Sequence, residues 1–364
     1  MAANPIKPVA DLHLAYKPDA AEAQQRMRAY WAGEMIDRPC VAIDAPRTGM
    51  TPPNRSLIAP GDFDFERAVA EFEEWASCMF FGGESFPALA PWWGPDQWAG
   101  FLGAEVTLMP DHNTSWIKPL VKNWHDFPEL TIDPNNKWWK GIVDYTTTAA
   151  KLCDGKFIVS TIDTHSNMDA LSALRDPSRL CMDLIEYPDE IKRAVSQVDA
   201  LYKPVYDTLF EAGRMNEFGS TSWSAMWSDG RTQTVQCDFC YLISNEHFKE
   251  FALSSLEYEV SCLDHALYHL DGVGELTHLD DLLAIPNLHS IQWIPGAGQP
   301  QAPEWIDLLQ KIQKAGKSVQ VFCTLEEVKA VHPHLKPEKT FYWVQGCSSE
   351  ADARGLIEWL EHNT

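Results

Sequence analysis

Short apolar runs alternate with longer amphipathic segments along most of the chain. Runs at 40–44, 79–83, 157–162, 218–223, 266–270, 290–294, 318–322 and 341–344 are rich in Val, Ile and aromatic residues. They mostly lack polar alternation, the pattern of strands covered on both faces. Between them, apolar residues recur at helical spacing. Phe65, Val69, Phe72 and Trp75 predict a helix over 64–78 with one apolar face. Pro303 suits a first helical turn, Leu308, Leu309 and Ile312 continue its stripe, and Gly316 ends it. Ser349 and Asp352 read as a capping box ahead of Leu356, Ile357 and Leu360. Eight strands with helices between them predict an α/β fold, a (β/α)8 TIM barrel, with a doubly wound open sheet as the competing arrangement. The whole of 1–364 is expected as one barrel domain, with 1–25 an N-terminal extension.

The intervals are uneven. Residues 84–156 are too many for one strand–helix unit and predict an insertion or cap after the second strand. This stretch holds Trp92, Trp93, Trp98, Trp116, Trp124, Trp138 and Trp139. Such a cluster is either a satellite core under a long loop or an aromatic wall over the barrel mouth. In the second reading Trp92, Trp93 and Trp116, with Trp223 and Trp293 at strand ends, would bind substrate.

Charge narrows the partners. With 29 Lys+Arg against 52 Asp+Glu the net charge is −23, and no basic stripe exists to hold nucleic acid or an anionic membrane surface. A hydrophobic share of 45% is that of a chain with a core. No apolar stretch is long enough to span a bilayer, and residues 1–17 lack a signal-peptide core, so a cytoplasmic location is expected. Nine scattered cysteines are then expected as free thiols.

In a barrel the reactive groups stand at the C-terminal ends of strands. Those ends offer Asp44 and Arg47, Glu84, Asp163 and His165, Trp223 and Asp229, His269 and Asp271, Gln292 and Trp293, Cys323, and Gln345 with Cys347. Asp44, Arg47, Glu84, Asp163, His165 and Gln292 are therefore candidate catalytic residues. His269 and Asp271, two apart at a strand end, point the same way and can begin a metal site. They can equally hydrogen-bond to each other or to the backbone. Cys347 or Cys323 could complete such a site, and Glu275 and His278 follow in the next loop. Cys237-x-x-Cys240 has no second pair at zinc-finger spacing and reads as ordinary thiols. There is no phosphate-binding glycine loop and no Gly-x-Ser-x-Gly elbow.

Several stretches together resemble the uroporphyrinogen decarboxylase superfamily, which includes zinc-dependent corrinoid and coenzyme M methyltransferases. They are 33–39 (Gly-Glu-Met-Ile-Asp-Arg-Pro), 167–171 and 174–175 with Tyr187-Pro188-Asp189, 236–239 with 242–244, 268–272 with 278–280, and 291–296. The resemblance runs from about residue 26 to the end and implies a (β/α)8 barrel with its site at the mouth. The decarboxylases carry Arg-Gln-Ala-Gly-Arg after the first strand and an aspartate after the second. Here those places read Asp44-Ala45-Pro46-Arg47-Thr48 and Gly83-Glu84-Ser85-Phe86. The methyltransferases bind zinc through His-x-Cys and a later Gly-Cys. Here these are similar to His269-x-Asp271 and Gly346-Cys347. The resemblance implies a zinc site at His269, Asp271 and Cys347. It also implies methyl transfer to or from a thiol, or a corrinoid carried by a partner protein. The alternatives are a metal-independent lyase acting on a small carboxylate through Arg47, a metal-dependent enzyme of a sugar-like substrate with Glu84 or Asp163 as base, and a non-catalytic barrel that docks a partner. A homodimer is the commonest assembly for such a chain.

Overall fold

The computed structural model describes residues 7–364; residues 1–6 of the expected N-terminal extension lie outside them. The strands are β1 (Cys40–Pro46), β2 (Met79–Gly83), β3 (Ala88–Leu89), β4 (Glu105–Met109), β5 (Thr114–Lys118), β6 (Ile158–Val159), β7 (Thr232–Val235), β8 (His265–Asp271), β9 (Leu288–Ile294), β10 (Ser318–Cys323) and β11 (Thr340–Val344). The largest sheet runs β2-β1-β11-β10-β9-β8-β7. It is parallel throughout except at the β1–β2 edge, and it is curled. β3 and β6 form a separate parallel pair, and β4 and β5 an antiparallel hairpin. Amphipathic helices cover the outer face, burying Phe72, Leu309, Ile312, Leu356 and Leu360 against it.

Three expectations change here. Residues 218–223 are not a strand. Met215–Phe218 is a short helix, and the Ser/Thr-rich stretch after it bonds through hydroxyls, with Ser222 Oγ 2.9 Å from Ser224 Oγ and 2.7 Å from Thr234 Oγ1. Side-chain bonds of this kind compete with a ladder. The strand in this region is β7, whose Thr-Gln-Thr-Val is wholly buried, polar residues included. Finally, β2 is antiparallel to β1. The helix Phe65–Ser77 returns the chain to the C-terminal end of β1, so that Met79 pairs with Pro46 and Gly83 with Ala42.

That reversal decides where Glu84 lies. At the end of β2 it reaches the N-terminal end of β1, where its backbone N–H donates to the Val41 carbonyl (2.7 Å). Its carboxylate accepts from Arg38 Nη1 (2.8 Å) and Nη2 (3.0 Å) and from the Val41 N–H (2.8 Å), with both charged groups buried. The helix Ala20–Trp31 closes the same end. Tyr30 Oη lies 2.8 Å from Ser290 Oγ, and Trp31 stacks on His265 at 4.5 Å. These partners begin β9 and β8, so the open end of the curl is the C-terminal one.

The tryptophan-rich segment is mostly core. Asn136 caps the helix Lys137–Leu152 by accepting from the N–H groups of Trp138 (2.8 Å) and Trp139 (3.1 Å). Trp93, Trp98, Trp124 and Trp138 are buried there; Trp93 Nε1 donates to the Trp138 carbonyl (3.1 Å) and Trp124 Nε1 to Asp183 (2.8 Å). No helix among the described residues is long and apolar enough to cross a membrane.

Candidate active site

A cavity of about 460 Å³ opens at the C-terminal ends of the strands. Its walls include Asp44 from β1, Trp92 just beyond β3, Asp163 and His165 beyond β6, Asp238 beyond β7 and His269 on β8, with Phe86, Trp223 and Trp343 as apolar surface. Asp238, His269 and Asp271 form a group whose candidate donor atoms all lie within 4.8 Å of one another. Gly272 follows with φ +84° and Tyr241 packed against it, so the chain turns away directly after Asp271. Burial raises the Asp271 pKa and the Asp238 charge adds to this, while His269 acts in the opposite direction.

The orientation of His269 follows from the register. His269 lies opposite Gln292, and Gln292 opposite Gln320, so the three stand in one row across β8, β9 and β10. Gln320 Nε2 donates to the Ser224 carbonyl (2.7 Å), which can only accept. That turns Gln320 Oε1 toward Gln292 Nε2, which donates to it, and Gln292 Oε1 toward His269 Nδ1. Nδ1 must then carry the proton, and a neutral His269 keeps its lone pair on Nε2. Two buried glutamines thus set one tautomer.

His165 stands on another wall with φ +28°, a backbone conformation that few non-glycine residues adopt. Its Nε2 is 3.3 Å from Asp163 Oδ2. Burial alone would lower its pKa. Asp163, through charge and hydrogen bond, and Asp238 and Asp169 through charge, instead hold it well above the usual histidine value. These acidic neighbours favour the protonated imidazolium of His165. Asp44 faces the cavity space yet is closely walled by protein, and this desolvation lifts its pKa to about 6 against a hydrogen bond from Ser85.

Beneath the cavity lie buried carboxyl groups. Asp169 accepts from the N–H groups of Asp238 (3.1 Å) and Phe239 (2.8 Å) and so fixes the turn that presents Asp238. Desolvation, followed by the Asp238 charge, raises it to about 7. Glu259 accepts from Ser166 Oγ (2.6 Å) and Asn167 Nδ2 (3.0 Å), and desolvation raises it to about 8. A carboxyl whose folded pKa exceeds its unfolded one binds more protons when folded, so its stabilising effect is complete below pH about 4.5 and is lost as pH rises toward 8. We expect Glu259→Gln to flatten the fall in melting temperature between pH 5 and 8. A variant whose melting temperature falls over that range as steeply as wild type's would contradict the assignment.

Some residues singled out in the sequence fall elsewhere. Glu84 is locked to Arg38 at the closed end because β2 runs antiparallel. Arg47 does not line the cavity; its Nε donates to the Met79 carbonyl (2.7 Å) and Nη2 to that of Tyr16 (3.1 Å). Asp229 pairs with Arg28 (2.8 Å). Gln292 is buried behind His269. Trp93 belongs to the main hydrophobic core, Trp116 is 65% exposed on the β4–β5 hairpin, and Trp293 packs outward on Trp305 at 5.0 Å. Cys347 is not in the Asp238–His269–Asp271 group. β11 lies three ladder steps from β8, roughly 14 Å at strand spacing, and the Cys347 thiol bonds the Ser349 carbonyl (3.3 Å). Cys237 and Cys240 are both buried, their sulfurs 2.9 Å apart. Asp238 was missed because its strand is polar. A Thr-Gln-Thr-Val run just before the Cys-x-x-Cys was the available signal.

No protein-family model matches the chain, and no curated protein matches it by sequence. Among solved structures it is similar to a methyltransferase from Methanosarcina mazei, with a TM-score of 0.60 and 11% identity, over 93% of this chain and 98% of that one. The likeness is one of fold.

Proposed function

We propose that this chain is a metal-dependent methyltransferase whose metal ligands are Asp238, His269 and Asp271. The observation that carries the reading is the convergence of those three side chains at the open end of a fold shared with a methyltransferase. One imidazole and two carboxylates suit a divalent first-row ion with an open position, zinc among them, though with harder donors than a thiolate set. In the same reading the curled sheet and the β3–β6 pair belong to one (β/α)8 barrel.

A divalent ion bound there would lower the pKa of a thiol or polarise a leaving oxygen. The chain's own residues supply the rest. The glutamine row keeps Nε2 of His269 as its donor atom. Asp169 holds the Asp238 turn. His165, protonated beside Asp163, can deliver a proton to a departing heteroatom, leaving a neutral imidazole. Phe86, Trp92, Trp223 and Trp343 exclude water from the reacting group. A cavity of about 460 Å³ holds a small molecule, so a corrinoid would reach its mouth on a separate protein.

The test is elemental mass spectrometry of purified protein, paired with transfer of a labelled methyl group from methylcobalamin to small thiols. We expect close to one divalent ion per chain and transfer that stops on chelation and returns with metal. Protein that retains no metal at any divalent-ion concentration would overturn the reading. The outer partner can be tested separately. Gln292→Leu frees the Nδ1 proton and should weaken metal binding by about 10–100-fold, as loss of such partners does, while Gln292→Glu, which still accepts from Nδ1, should lose less. Equal affinity in all three proteins would remove the glutamine row from the account.

A further inference from the structure

We infer that the cavity takes a small substrate with a flat apolar body and one carboxylate, and that Arg55 binds the carboxylate. Arg55 lines the cavity from the loop after β1. Its guanidinium carbon lies 5.1 Å from the centre of the Phe72 ring and 4.6 Å from that of the Trp75 ring, within cation–π reach of both. None of its N–H groups meets a carboxylate or carbonyl among the described residues. Every other described arginine that is not exposed has such a partner: Arg26 has Asp37, Arg28 has Asp229, Arg38 has Glu84, Arg175 has Asp183, Arg231 has Asp207, and Arg47 has two carbonyls. A half-buried guanidinium keeps five directed donors that need acceptors. In a chain of net charge −23, an arginine left without an acid beside a cavity is the exception.

Position supports the same reading. β1 is four ladder steps from β8 in the sheet order, so Arg55 and the Asp238–His269–Asp271 group come from separate walls of the cavity. Aromatic side chains line the cavity that these walls share. A molecule with its carboxylate on Arg55 would present its other end toward the carboxylate–histidine group. The placement of that end rests on the proposed metal site; the binding of the carboxylate does not.

Calorimetric titration of the full chain with benzoate and phenylacetate, against benzamide and phenylacetamide, tests this. The acids should bind at least tenfold tighter than the amides. Arg55→Gln should bring acid and amide within about twofold while leaving amide affinity unchanged, which also reports an intact cavity; Arg55→Lys should keep part of the preference. Equal binding of acid and amide by wild type, or a preference that survives Arg55→Gln, would overturn the assignment. So would a preference lost in His165→Gln but kept in Arg55→Gln, or one that vanishes on chelation alone. Protein that binds no metal yet keeps an Arg55-dependent preference would remove the metal site and leave this subsite standing.

Discussion

His269→Ala is expected to leave the protein unable to retain a stoichiometric divalent ion and without methyl transfer. His269 contributes the only nitrogen of the three-residue group. Two carboxylates alone would hold a transition ion far less selectively, so the loss should exceed the about 10–100-fold attached to an outer partner. Asp271→Asn offers a gentler version, since it preserves shape while removing charge. Cys347→Ser is the discriminating control. If the ligands are those the structure brings together, it retains metal at the wild-type level. Should Cys347→Ser empty the protein and Asp238→Ala leave it loaded, the grouping would be wrong and the motif spacing in the sequence right. Elemental analysis of the four variants decides it.

The second large effect concerns stability. Glu84→Ala should destabilise the fold by about 3–5 kcal/mol, the range found when one member of a buried ion pair is removed. For a chain of 364 residues that corresponds to a melting temperature lower by about 4–7 °C. The cost is large because Arg38 would remain charged and buried, and the Val41 N–H would lose its acceptor. Glu84→Gln should cost less, since its amide oxygen still accepts one of those bonds. Thermal unfolding followed by circular dichroism reads both. A Glu84→Ala protein as stable as wild type, with lost turnover instead, would return Glu84 to the catalytic role that its sequence position suggested.

Local pattern made several parts legible. Strands β1, β8, β9, β10 and β11 were readable as apolar runs because both of their faces are covered. The helices Phe65–Ser77 and Glu350–Asn363 were readable from one-sided stripes, the latter capped by Ser349, which accepts from the Asp352 N–H (3.1 Å). His269 and Asp271 were readable as a pair because their two-residue spacing at a strand end requires no knowledge of any other element. Polar inward-facing strands were less visible. β7 is buried through threonines and a glutamine whose partners, among them Ser224 and Ile162, lie outside the strand, so a strand-length window does not contain both ends of those bonds.

What the sequence by itself determined is therefore the α/β alternation, the acidic net charge, and one strand end that carries a histidine and an aspartate two residues apart. Direction and adjacency were decided by the tertiary structure. The antiparallel entry of β2 sent Glu84 to the closed end. Strand order set Cys347 three ladder steps from His269 and brought Asp238 beside it. Packing on Phe72 and Trp75 held Arg55 at the cavity with no ion-pair partner among the described residues. Periodicity reports which face of an element is buried, a local property. Which elements become neighbours is set by how all the buried faces pack at once, and the chemistry of a site depends on those neighbours.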